Sequence, residues 1–79
     1  MGAMINGVEY NVGDKVVVDM DGELRIGVVS RTDPLDAVGG VVGLSAGGWF
    51  CSDGGVNTRW DWKILRKASQ EEVDTLEDY

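Results

Sequence analysis

The chain has no histidine, one cysteine (Cys51) and one proline (Pro34) among its 79 residues. Without histidine, neither a Ser-His-Asp nor a Cys-His nucleophile can be built, and the commonest metal ligand is missing. One cysteine makes no internal disulfide and no Cys/His zinc site. That cysteine usage fits a reducing compartment. No apolar run reaches the length of a signal peptide or a membrane span, so a cytoplasmic protein away from membranes is expected. Bases are scarce as well. Seven Lys and Arg against fourteen Asp and Glu give a formal charge of −7, which argues against the clustered cations of a nucleic-acid surface. The acidity is concentrated: Ser69 to Tyr79 holds five acids and no base, while the remainder holds nine acids and seven bases.

What is present in excess is glycine, twelve residues of it. At that density glycine punctuates short strands, because long helices do not carry it. Asn6-Gly7 and Asp21-Gly22 are the strongest of the short turn signals, and Ala46-Gly47-Gly48 marks a third turn. Between these turns the pattern predicts five strands. Lys15 to Asp19 is β-branched, and Leu24 to Ser30 places Leu24, Ile26 and Val28 on one parity. Gly40 to Leu44, Trp49 to Cys51 and Lys63 to Arg66 follow. Arg31 to Val38 around Pro34, and Ser52 to Gly55 with Asn57, read as loops. Trp60-Asp61-Trp62 reads as a short turn. The core expected from this alternation is Val16, Val18, Leu24, Ile26, Val28, Val42, Leu44 and Ile64.

Only the end of the chain reads as helical. Ser69 and Glu72 have capping-box spacing, and Ala68 and Val73 have the spacing of a hydrophobic staple. Val73, Leu76 and Tyr79 recur at helical intervals, which predicts a helix from Gln70 to about Asp78 with one apolar edge. The opening Met1-Gly2-Ala3-Met4 reads as a cloning remnant ahead of a start at Met4. The expected organisation is therefore a barrel over residues 4–67 and an acidic C-terminal helix over 69–79, with residues 1–3 set aside.

Val12-Gly13-Asp14-Lys15-Val16, Gly27-Val28-Val29, Trp49-Phe50 and Asp61-Trp62-Lys63-Ile64-Leu65 together resemble an SH3-like small barrel. The resemblance is closest to the KOW and Tudor-like members and to small phage proteins of that build. It covers Tyr10 to Leu65. It departs from the pattern in a long segment from Ser30 to Gly40 and in the C-terminal helix. The fold class expected is mainly β: a five-stranded SH3-like small barrel with a short C-terminal α-helix.

Several residue groups have two readings. Asp19, Asp21 and Glu23 alternate as cation ligands do, but they lack the longer calcium-loop series and fit better as charges edging a hairpin. Gly39 to Gly48 is glycine-rich, but no Gly-Lys-Ser/Thr follows and no long helix opens there, so turn chemistry accounts for it. Cys51 is expected as a small buried apolar residue. Arg59 beside Trp60 and Asp53 in the preceding loop read either as a polar rim to a binding patch or, as such pairs more often are, as a surface contact of little energetic worth. Tyr10, Trp49, Phe50, Trp60 and Trp62 are more large rings than so thin a core can bury. Trp62 is the better candidate for burial, and Trp60, Tyr10, Trp49 and Arg59 form the expected partner-binding patch. The function expected is that of a non-enzymatic protein-binding adaptor or modulator, with a phage protein acting on a host protein implied by the resemblance. The chain should be a monomer or weak homodimer with no cofactor and no metal. The alternative is a KOW/Tudor-like nucleic-acid module using Lys15, Arg25 and Arg31 with exposed aromatics.

Overall fold

In the computed structural model the described residues are 2–33, 40–51, 54–55 and 62–79. Two hairpins begin at the turns that the Asn-Gly and Asp-Gly pairs predict. Strands β1 (Ala3–Ile5) and β2 (Val8–Tyr10) pair with Ile5 opposite Val8. Strands β3 (Lys15–Met20) and β4 (Glu23–Asp33) pair with Met20 opposite Glu23. Asn6 and Gly7 both have positive φ, as do Asp21 and Gly22, which is the two-residue turn whose twist matches its flanking strands. Strands β5 (Val41–Leu44), β6 (Trp49–Cys51), β7 (Gly54–Gly55) and β8 (Lys63–Lys67) complete the set.

All the strands of the main sheet run antiparallel, in the order β7-β6-β5-β4-β3-β8. Since β7 is two residues long, five substantial strands form a curled sheet, a half-barrel whose β6–β7 edge comes round to β8. The domain is mainly β. Its interior holds Ala3, Ile5, Tyr10, Val16, Val18, Val29, Val42, Leu44, Phe50 and Ile64, with Met20, Trp62 and Tyr79 packed against them.

The register of β4 corrects the sequence reading. Residues opposite one another in an antiparallel pair share a face. Val16 lies opposite Gly27 and Val18 opposite Arg25, so Gly27 and Val29 face the interior. Leu24, Ile26 and Val28 are on the other face. Val28 is 37% exposed and Leu24 half-buried, while Ile26 is buried, together with Val17 on the same face. Gly27 is what lets this register pack: a Cβ there would stand 2.8 Å from Leu44 Cδ1 and 3.2 Å from Val18 Cγ2.

Other boundaries move too. Arg31 to Asp33 continues β4 and is not loop, because it pairs with Val41 to Gly43. Pro34 to Val38 of the expected loop lie outside the described residues. Gly54 and Gly55 are strand, paired with Cys51 and Phe50. Ala3, set aside by the sequence reading, is fully buried in β1.

The capping box forms as predicted: Glu72 N–H donates to Ser69 Oγ, and Ser69 N–H donates to the Glu72 carboxylate. Helix α1 is shorter than expected, Gln70–Thr75, and Leu76 is extended. Glu77 to Tyr79 instead runs alongside β4. Ile26 N–H donates to the Glu77 carbonyl (2.9 Å) and Tyr79 N–H donates to the Ile26 carbonyl (2.7 Å). Acids at a helix C-terminus oppose its dipole, and here the β4 edge supplies the backbone partners instead.

Candidate functional site

Strand alternation places Phe50 inside and Trp49 outside, and the structure has Phe50 at 0% exposure with Trp49 half-buried. Trp49 does not stand alone. Across β6, β5 and β4, Trp49 is opposite Gly43 and Gly43 is opposite Arg31. The Arg31 guanidinium carbon sits 4.4 Å from the Trp49 ring centroid, within cation–π range. Gly43 lies beneath the pair. A Cβ there would come to 3.3 Å from Arg31 Nε and 3.4 Å from the Trp49 ring, so the bare backbone lets the two side chains close over it.

A bulge puts Arg31 on this face. Val29 is opposite Leu44, yet Arg31 is opposite Gly43, leaving Ser30 as the extra residue. Without it Arg31 would face Val42 and point into the core. The bulge re-aims the side chain, as bulges do, and Ser30 Oγ donates to the Gly43 carbonyl at 3.3 Å. Period-two alternation cannot reveal an inserted residue, so the Arg31–Trp49 pairing is the feature that sequence reasoning missed. A polar Ser30 between buried Val29 and Arg31 is its faint trace.

Of the expected patch of Trp60, Tyr10, Trp49 and Arg59, the described residues include Tyr10 and Trp49. Trp60 and Arg59 lie outside them, as does Asp53. Tyr10 is 2% exposed and belongs to the core, so it is removed from the surface patch. Its ring packs with Ala3 and Ile5 under the first hairpin because β2 presents it inward, and burial pushes its phenol above its ordinary pKa. The Lys67 ammonium lies 6.0 Å from the ring centroid.

Trp62 is half-buried against the core. Its Nε1–H donates to Asp21 Oδ2 (3.2 Å), and its ring meets that of Tyr79 edge-on, with centroids 5.7 Å apart at 87°. The Tyr79 hydroxyl donates to the Gly47 carbonyl at 3.2 Å. The acidic trio is engaged: Asp19 accepts from Gly22 N–H and Glu23 pairs with Arg25 at 2.6 Å, both within the hairpin, while Asp21 accepts from the distant Trp62. Cys51 is half-buried, not fully buried as expected, since it shares the outward parity of Trp49.

Lys15, Arg25 and Arg31 do not form one basic stripe. Lys15 is on the outer face opposite Val28, whereas Arg25 is on the parity of Val18. Arg25 is held between Glu23 (2.6 Å) and Glu77 (3.4 Å), and the hydrogen bond with Glu23 raises its pKa. Arg31 is committed to Trp49. Compared with protein-family models, curated proteins and solved structures, the chain matches none.

Proposed function

We propose that this domain is a non-enzymatic protein-binding module of SH3-like build, with the outward Arg31–Trp49 pair as its contact centre. The observation that carries the reading is the guanidinium 4.4 Å from the indole centroid, set on strands and not on a loop. Tryptophan and arginine are the residue types that dominate interface energetics, and a rigid support spares the ordering cost that a loop would add. The last strand pairing back onto β3, so that the sheet curls, supports the SH3-like assignment. Trp60 and Arg59 remain proposed members of the same surface. An accessory protein of phage origin that modulates a host protein is the setting that the resemblance implies.

Against the nucleic-acid alternative stand the net charge of −7 and the neutralisation of Arg25 by two carboxylates. The test is affinity capture from host extract with the native chain and with Trp49→Ala, read by mass spectrometry alongside thermal melting. A partner held by the native chain should lose about 2 kcal/mol or more of affinity to Trp49→Ala while the fold persists. Retention of that partner by the variant would sink the reading. So would steeply salt-dependent binding of mixed DNA or RNA in place of protein.

A further inference from the structure

The segment from Arg66 to Tyr79 crosses the outer face of the sheet. It starts at β8, where Arg66 pairs with the Glu72 carboxylate, and ends at the far edge of β4, where Ile26 exchanges two backbone hydrogen bonds with Glu77 and Tyr79. That edge is available because β5 pairs only with the second half of β4, from Val29 onward. The first half would otherwise present unpaired backbone groups, which are a template for strand addition. Beside the edge lie the Trp62 ring, the Gly47 carbonyl and Arg25, and the tail engages all three.

The tail is held lightly. Helix α1 has no buried residue, and the Arg25–Glu77 ion pair places Glu77 at 81% exposure, where such pairs contribute little. Two backbone hydrogen bonds, one edge-on ring contact, one hydroxyl bond, the Arg66–Glu72 pair and the half-buried Val73, Leu76 and Tyr79 make up the rest of the described attachment. A segment with no fully buried residue opens at lower cost than the whole fold.

We propose that this β4 edge is a strand-addition groove for a protein partner, occupied in the free protein by the chain's own Glu77-Asp78-Tyr79. The chemistry of the cis occupant defines the trans one: an extended segment with an acid facing Arg25 and, two residues on, a tyrosine to meet Trp62 and Gly47. Main-chain bonds to Ile26 supply affinity, and the two flanking side chains supply selection. The proposal shares the protein-binding reading above but uses a different surface, so either can fail alone.

The probe is a fluorescein-labelled peptide of residues 74–79, Asp-Thr-Leu-Glu-Asp-Tyr, titrated by anisotropy into the full-length native chain and full-length Tyr79→Ala. A tethered tail competes at an effective concentration of about millimolar. The peptide should therefore bind Tyr79→Ala at least tenfold more tightly than the native chain, and a peptide ending in Ala should bind neither. Equal affinity for the two proteins, or no binding to either, overturns the proposal. Amide exchange on the native chain tests the same point without a variant. The Ile26 amide, bonded to Glu77, should exchange faster than that of Val29, bonded to Asp14. Equally slow exchange means that the tail leaves only on global unfolding, and the proposal falls. If the native chain dimerises by exchanging tails, the occupant is a second copy and the partner assignment is overturned.

Discussion

A methyl group at Gly40 would stand 2.8 Å from the Ala3 Cβ and 3.2 Å from the Asp33 carbonyl oxygen, on a backbone with φ of +134°. Both penalties act together, because Ala3 is fully buried and cannot withdraw without opening the hairpin of β1 and β2. Gly22 makes the contrast. Its φ is +92°, but a Cβ there would meet nothing within 4 Å. Gly22→Ala should cost about 1 kcal/mol, the left-handed penalty alone. Gly40→Ala should cost about 3 kcal/mol, since steric overlap in the core is added. Urea midpoints at constant slope measure both. Equal losses would mean that the hairpin does not rest on Gly40 at all.

At the scale of elements, local signals were legible in the sequence and non-local ones were not. Asn6-Gly7 and Asp21-Gly22 set their own backbone conformations, so their turns could be read from two residues each. Ser69 and Glu72 likewise cap α1 with atoms three residues apart. The Ser30 bulge depends on where β5 sits, and the helix stops at Thr75 because a strand fifty residues earlier offers Ile26 as partner. Neither could be read from its own neighbourhood. The cap itself is pH-sensitive. The backbone hydrogen bond from Ser69, then the side-chain bond from Arg66, hold the Glu72 carboxyl below its ordinary pKa. A depressed carboxylate stabilises the fold above the unfolded value of about 4.3, and that contribution is lost as pH falls through the folded value. Protection of the Val73 amide, bonded to the Ser69 carbonyl, should therefore fall on acidification below about pH 4.3. Ser69→Ala should remove about 1 kcal/mol from helix stability at neutral pH, whereas Glu72→Gln, which cannot titrate, should flatten this acid response. An acid response unchanged in Glu72→Gln would show that the Glu72 carboxylate does not control the cap.

For the whole molecule, curling the sheet divides each strand between an enclosed side and an outer side, and only part of the outer side is free. Val17 and Ile26 are buried on it beneath the crossing C-terminal segment, which is why a run of three valines, Val16 to Val18, is buried without alternation. A strand buried on both faces loses the period-two signal that sequence reading relies on. Strand β6 keeps it, and so offers the cleanest measure of what the enclosed side contributes. Phe50 and Trp49 are adjacent rings on opposite faces, one at 0% exposure and one half-buried under Arg31. A chain of this size has a total stability of about 4–12 kcal/mol. Phe50→Ala leaves a cavity among Val42, Leu44 and their neighbours and should cost about 3–5 kcal/mol, a large share of that total. Trp49→Ala forfeits a cation–π contact worth about 0.5–1 kcal/mol and some cover over Gly43, so its loss should stay near 1 kcal/mol. Chemical denaturation of the two variants side by side decides the matter. If Trp49→Ala falls as far as Phe50→Ala, the outer face of β6 is a second packed layer and not a contact surface.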